Sequence, residues 1–381
     1  MKILHLSDLH IGKKVNGFSM IDDQKYILNK VLEIVEVEKP SVVLIAGDVY
    51  DKYLPSNEAV LLLDHFLTVL SGFGCRVMLV AGNHDSAERL SFGARLMLSG
   101  GVYIVGSYPG YIKPVILEDM HGKVFFYLLP FIKPVDVQRF FPETDIKTYT
   151  NALSVVINDM NINKAGRNIL VAHQFVTGAS RSESEDFSIG GADNVDATVF
   201  EDFDYVALGH LHRPQNVGKK HIRYAGSPLK YSFSEASDTK SVTLIDLQEK
   251  GQIEIRALPL VPLRDTREIK DTYLSLMSKQ NYENTPTEDY LHITLTDKEE
   301  EYDVFAKLSK VYPNIMKLDY EHLQHQHLIE DEDLNIADEP LSPLELFAHF
   351  FHQQTGGKVM SEEQARVTQQ LMEEIKKTTH S

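Results

Sequence analysis

The chain has 381 residues, 43% hydrophobic and 24% charged, which excludes wholesale disorder, a coiled-coil rod and a collagen-like repeat. No run approaches the ~20 apolar residues of a membrane span, and a single cysteine, Cys75, excludes an intramolecular disulfide and a cysteine-based zinc site. The net charge of -17 argues against a nucleic-acid partner at first sight, but sixteen acidic and four basic residues between Pro286 and Glu345 carry most of it and leave the remainder nearly neutral.

The opening stretch, MKILHLSDLH, contains a short apolar run from Lys2 to Leu6, then an acid and two histidines where a signal peptide would have its apolar core. With one cysteine, this points to a reducing cytoplasm. Ile21 to Glu38 has helical spacing and stops before Pro40. Ser41 to Ala46 is a β-branched run without alternation, as in a strand covered on both faces. Ser56 or Asn57 caps an apolar helix ending near Gly72. Arg76 to Val80 reads as a strand, Ser86 to Leu98 as a helix, and Val102 to Val105 as a strand. Lys123 to Leu129, Asn168 to Ala172 and Tyr205 to Leu208 are strand-like, and Ile222 to about Leu258 is strand-rich. This order indicates an α/β layered domain over residues 1–262.

The character changes after Pro262. Thr266 to Ser278 reads as a helix, Tyr290 to Thr296 as a strand, Glu299 to Lys310 as a helix and Asn314 to Tyr320 as a strand, a small α+β unit over 263–328. An acidic linker (329–341) leads to a helical region (342–381). Its first helix is expected from Pro343 to Gln353, and its second starts at Ser361 with a capping box to Gln364.

Five short motifs sit where predicted strands end: Asp8-Leu9-His10, Gly47-Asp48, Gly82-Asn83-His84-Asp85, His173, and Gly209-His210-Leu211-His212. Ligands of open α/β sheets bind beyond the carboxyl ends of the strands. Carboxylate, imidazole and amide groups suit hard-to-borderline divalent ions such as Mn²⁺, Fe²⁺ or Zn²⁺. Seven candidate ligands are too many for one ion and suit two that share a carboxylate, the known device for in-line attack on phosphorus.

These motifs resemble the calcineurin-like metallophosphoesterase superfamily, whose pattern is D-x-H, G-D, G-N-H-D/E, H, G-H-x-H. Pro130 to Pro134, Gly209 to Gln215, Tyr224 to Pro228 and Ser342 to Phe347 are similar to the DNA-repair nuclease branch of it. The resemblance implies a four-layer sandwich, two mixed sheets flanked by helices, with a small capping domain and C-terminal helices. It implies that Asp8, His10 and His212 hold one ion, that Asn83, His173 and His210 hold a second, and that Asp48 bridges. The ions would be most readily Mn²⁺, with Mg²⁺ also possible. His84 is then the general acid, and Asp51 is the carboxylate that pairs with it; such a partner keeps an imidazole protonated and oriented.

The resemblance further implies hydrolysis of DNA phosphodiesters, a homodimer formed through Ser56 to Ser71 and Ser86 to Leu98, and docking of the C-terminal helices on an ATPase partner. The apolar stripes agree. Val60 to Leu63, Phe66, Leu67, Val69 and Leu70 exceed what one buried face needs; Leu344, Phe347 and Phe351, then Val367, Leu371 and Ile375, recur at helical spacing. Lys13, Lys14, Arg89, Arg95, Lys219, Lys220, Arg223 and Lys230 are candidate phosphate contacts. Two other readings remain open: a stand-alone small-molecule phosphodiesterase, and a non-catalytic scaffold with a vestigial site.

Overall fold

The computed structural model describes residues 1–185, 194–299, 302–322, 344, 347–348, 351–352 and 359–378. They fall into two compact units, Met1–Arg267 and Glu268–Ser381.

In the first unit, β1 (Lys2–Leu6) leads through a small hairpin, β2 (Lys14–Val15) and β3 (Phe18–Ser19), to α1 (Ile21–Glu38) and β4 (Val42–Ala46). Helix α1 ends as expected, at Lys39 in the left-handed region (φ 50°). Helix α2 (Asn57–Gly72) begins at Ser56, whose hydroxyl accepts from the Ala59 amide at 3.2 Å. After β5 (Arg76–Val80), the single helix expected from Ser86 to Leu98 is broken in two, α3 (Ala87–Leu90) and α4 (Ala94–Met97). Gly93 between them is left-handed (φ 75°), and α4 buries no residue that would hold the two in line. Then follow β6 (Val102–Val105), β7 (Val115–Asp119), β8 (Gly122–Leu129), α5 (Pro134–Gln138), α6 (Tyr149–Asp159), β9 (Arg167–His173), β10 (Tyr205–Gly209), β11 (Gln215–Val217), β12 (Lys219–Tyr224), β13 (Ser241–Leu247) and β14 (Ile253–Pro259).

Two six-stranded mixed sheets result, in the orders β14-β13-β1-β4-β5-β6 and β11-β12-β10-β9-β8-β7. One core layer lies between them: Ile3, Val42, Leu44, Met78 and Val80 belong to the same buried cluster as Phe126, Leu128, Ile169, Val171 and Tyr205. A second buries α1 and α2, and a third buries α6. The four-layer sandwich is therefore present; its central strands β1, β4, β5, β9 and β10 lack alternation because both their faces are covered, whereas the edge strands β7 and β14 alternate. Strands β1, β4 and β5 run parallel in one sheet, and β9 and β10 in the other.

The second unit is a three-stranded sheet, β15 (Thr266–Asp271), β16 (Tyr290–Leu295) and β17 (Ile315–Tyr320), with the short helices α7 (Tyr273–Leu276), α8 (Lys279–Tyr282) and α9 (Val304–Leu308). Residues 266–278, expected as a helix, instead form a strand and one helical turn. The charged residues Glu268 and Lys270 alternate outward, and Thr272 caps the turn by accepting from Ser275. The helix expected from Glu299 to Lys310 is confined to α9 among the described residues. The linker 329–341 and most of the Pro343 to Gln353 helix lie outside the described residues. Helix α10 (Glu362–Thr378) is present with its capping box: Ser361 N–H donates to Gln364 Oε1 at 2.9 Å, and Gln364 N–H returns to Ser361 Oγ at 3.3 Å. No helix among the described residues is long and apolar enough to cross a membrane.

Candidate metal centre

All five motifs lie at the carboxyl ends of parallel strands, and their backbone is bent to bring the side chains inward. Asp8 (φ 53°), His10 (φ 43°), Asp48 (φ 49°) and His210 (φ 109°) occupy the left-handed region. Asp and His tolerate it better than most residues, but each costs free energy that the surroundings must offset. The loops interlock to do so. Asp8 N–H donates to Gly47 O at 3.0 Å, His10 N–H to Asp48 O at 2.9 Å, and His210 N–H to Asp8 Oδ1 at 3.0 Å. At Gly82 a Cβ would overlap the Asp48 carboxylate and amide nitrogen, so only glycine lets these loops meet.

Asp8, His10, Asp48, His173, His210 and His212 are buried, and Asn83 and His84 are half-buried. His10 Nε2 is 3.0 Å from His212 Nε2 and 3.6 Å from Asp48 Oδ2. His173 Nε2 is 3.3 Å from Asp48 Oδ2 and 3.0 Å from Asn83 Oδ1, and His210 Nδ1 is also 3.0 Å from Asn83 Oδ1. Three groups are close enough to share an ion: Asp8 with His10 and His212, His10 with Asp48 and His84, and Asp8 with Asp48 and His173. The seven residues expected as ligands thus converge; Asp8, His10 and Asp48 each belong to two of the three groups, and Asp48 Oδ2 lies within 3.9 Å of His10, His84 and His173.

The residues fit a pair of divalent cations. His173 Nδ1 lies 2.8 Å from the Ala46 carbonyl; a carbonyl can only accept, so Nδ1 carries the hydrogen and Nε2 faces the centre. Among the described residues His10 Nδ1 has no hydrogen-bond partner although buried. Burial penalises the Asp48 charge, yet the neighbouring His173 holds its carboxyl well below the usual range. Burial also opposes a charge on His173, but Asp48 pushes it up to about 9. That bound proton stands where a cation would compete for the same groups. Burial and the charge of His173 push His210 down to about 3, and burial pushes Asp8 up to about 6. Two carboxylates and buried imidazoles whose inward nitrogens give up any proton to a metal are a cation's donor set.

His84 also approaches Asp48, with Nε2 3.9 Å from Oδ2, but at 23% exposed it is the most open of these imidazoles to a substrate. Its contact with Asp51 differs from the expected one. His84 Nδ1 meets the backbone carbonyl of Asp51 at 3.1 Å, while the Asp51 carboxylate turns to Lys13 Nζ at 2.9 Å.

Several residues the motifs did not assign hold the loops. Asp85 is buried and accepts from the amides of Val49, Tyr50 and Gly82 at 2.9–3.1 Å, tying two motif loops together. Gln24 Nε2 donates to His10 O at 2.7 Å, and Tyr231 O–H to Leu9 O at 2.6 Å. Asp85 lies inside one of the five motifs, whereas Gln24 and Tyr231 carry no local sequence signal. Of the candidate phosphate contacts, Lys230 is tied to Asp265 and Ala236 O, Arg223 to Thr243 and Asn216, and Lys219 to Glu201.

The family described as calcineurin-like phosphoesterase matches residues 1–214, and that described as type 5 capsule protein repressor C-terminal domain matches residues 262–355. The SbcD subunit of the nuclease SbcCD from Staphylococcus saprophyticus is 33% identical over 371 residues, covering 96% of this chain and 96% of that protein. Its counterpart from Staphylococcus epidermidis is 33% identical over 363 residues, covering 91% and 96%. The crystal structure of a dimetal phosphatase from Danio rerio aligns with 68% of this chain and 96% of its own at a TM-score of 0.43 and 11% identity.

Proposed function

The chain belongs to the calcineurin-like phosphoesterase family, within its SbcD nuclease branch, and from that membership we propose that it is the metal-dependent nuclease half of an SbcCD-type complex acting in DNA repair, recombination and replication. The observation that carries this reading is the convergence of seven carboxylate, imidazole and amide groups from five strand ends, with Asp48 at their middle.

Asp8, His10 and His212 would hold one divalent ion and Asn83, His173 and His210 the other, with Asp48 shared. Mn²⁺ is the first expectation and Mg²⁺, Fe²⁺ and Zn²⁺ the alternatives. When bound, such a pair supplies Lewis acidity and a nucleophile near neutral pH. The protein's share is positioning and proton transfer. The Asp51 carbonyl accepts the hydrogen of His84 Nδ1 and so orients the ring, which as an imidazolium would pass the proton of Nε2 to the departing oxygen. The bent loops exclude water from the buried carboxylates and hold them before substrate arrives. The expected activities are double-strand exonuclease and single-strand or hairpin endonuclease.

An SbcC-type ATPase is the proposed partner of residues 342–381, and ATP-dependent activity would come from it. Val367 and Leu371 of α10 are about half exposed, an apolar stripe suited to a helix-in-groove contact. A homodimer is proposed through α2 and the α3–α4 segment. Leu61, Phe92 and Leu96 are 68%, 84% and 81% exposed beside a cavity of about 490 Å³ lined by Val60, Leu63, Leu67, Phe92 and Met97. The cytoplasm is the proposed location.

The test is to give the purified chain Mn²⁺ with linear duplex DNA in one arm and a chromogenic phosphodiester in the other. Degradation of DNA supports the nuclease; hydrolysis of the chromogenic ester alone would favour a small-molecule phosphodiesterase.

A further inference from the structure

We infer that Ser184 and Glu235 are positioning residues that fix the tautomer of His212, so that the ring nitrogen turned into the centre always presents a lone pair. His173 and His84 each have a ring nitrogen tied to a main-chain carbonyl. His212 has none. Its Nδ1 lies instead 2.7 Å from Ser184 Oγ, and that hydroxyl lies 2.5 Å from Glu235 Oε1. The direct separation of His212 Nδ1 and Glu235 Oε1 is 3.6 Å, too long for a hydrogen bond, so the serine is the link.

Counting protons settles the direction. Glu235 is fully buried against the ammonium of Lys240, which is also buried and whose other two contacts are the neutral His212 O at 2.8 Å and Ser227 Oγ at 3.0 Å. A buried ammonium needs a charged partner, and Glu235 is the carboxylate that supplies it. An ionised carboxylate only accepts, and a serine has one hydrogen. That hydrogen goes to Glu235, so Ser184 can only accept from His212, and His212 Nδ1 must donate. Ser182 Oγ, 2.9 Å from Ser184, has its own acceptor in Glu185 Oε1 at 3.1 Å. Nε2 is left as the acceptor, facing His10 in the group with Asp8. The backbone of the same residue is clamped too: His212 N–H donates to Glu185 Oε1 at 2.6 Å. Partners of this kind orient imidazole ligands and tune their affinity.

The inference rests on His212 facing a bound cation, and its test separates the two. Nitrogen-15 spectra of the metal-free protein, with the His212 signal assigned by its loss in His212→Gln, report the tautomer without any metal. The wild type should show His212 protonated at Nδ1 alone, and Ser184→Ala a mixture of tautomers. Calorimetric titration with Mn²⁺ should show binding weakened ~10–100-fold in Ser184→Ala and restored in Ser184→Thr; the melting temperature should fall in Ser184→Ala, which takes a hydrogen-bond donor from the buried Glu235 carboxylate, and return in Ser184→Thr. A wild-type His212 protonated at Nε2, or a Ser184→Ala protein with the wild-type tautomer and wild-type Mn²⁺ affinity, would overturn the relay. Absence of Mn²⁺ binding in the wild type would overturn the metal reading, while the tautomer still decides the relay.

Discussion

His173, the last residue of β9, donates its Nδ1–H to the carbonyl of Ala46, the last residue of β4, at 2.8 Å. The two residues belong to different sheets, so the centre is stitched across the layer that separates them. Asp48 and Asn83 come from one sheet, His210 and His212 from the other, and any slip between the sheets would part them. The stability of the sandwich and the geometry of the site are therefore one property.

His84→Ala is expected to keep its metal ions and lose turnover by ~10²–10⁴-fold, the usual contribution of a general acid. Elemental analysis beside single-turnover kinetics checks it. Loss of a metal from the variant would make His84 a ligand instead.

Gly82→Ala places a methyl group on the Asp48 carboxylate and amide. The loop must move, so we expect destabilisation of about 1–3 kcal/mol and Mn²⁺ affinity lowered at least tenfold. Chemical denaturation and calorimetry measure the two. A variant that binds Mn²⁺ like the wild type would show that the close approach of these loops does not matter.

How much of this was legible in the sequence depends on how local the cause is. Helix α1 and the strand ends of the five motifs followed from spacing and flanking residues alone. The break at Gly93 was missed because a continuous helical pattern hides one left-handed residue. The strand Thr266–Asp271 was missed because its outward charges fit a helix face as well as a strand face. In the site, motif residues were legible as a set. Gln24, Tyr231, Ser184 and Glu235 were not, since each acts on a residue elsewhere in the sequence, and the pairing of the Asp51 carboxylate with Lys13 is a contact between residues 38 positions apart.

His5 offers a pH test of the fold. It is fully buried beside the hydroxyl of Tyr205 at 2.9 Å, and burial, with the charge of Arg223, pushes it down to about 3. The unfolded residue takes up its proton near pH 6.5. The unfolded state thus binds more protons below that pH, and stability must fall as pH drops from about 6.5 towards 3, by about 1.4 kcal/mol per unit for this one residue. In His5→Gln the stability curve from urea unfolding should be shallower by that slope. Equal slopes in the two proteins would show that His5 is charged in the folded state.

The exposed face of α2 and the α3–α4 segment predicts a dimer that charge should break. Light scattering at micromolar concentration should give a dimer for the wild type and a monomer for Leu61→Glu with Phe92→Glu, with hydrolysis of a small phosphodiester unchanged. A wild-type monomer would leave that surface to another partner.

On the proposed function, a pair of divalent ions organised by Asp48 cleaves DNA. The most direct measurement is degradation of linear duplex DNA by wild type and Asp48→Ala, with Mn²⁺ binding counted in the same preparations. Two Mn²⁺ per chain and cleavage abolished by EDTA are expected for the wild type, and weakened binding with no cleavage for a folded Asp48→Ala. Undiminished DNA degradation by Asp48→Ala, or by the wild type in EDTA, would contradict it.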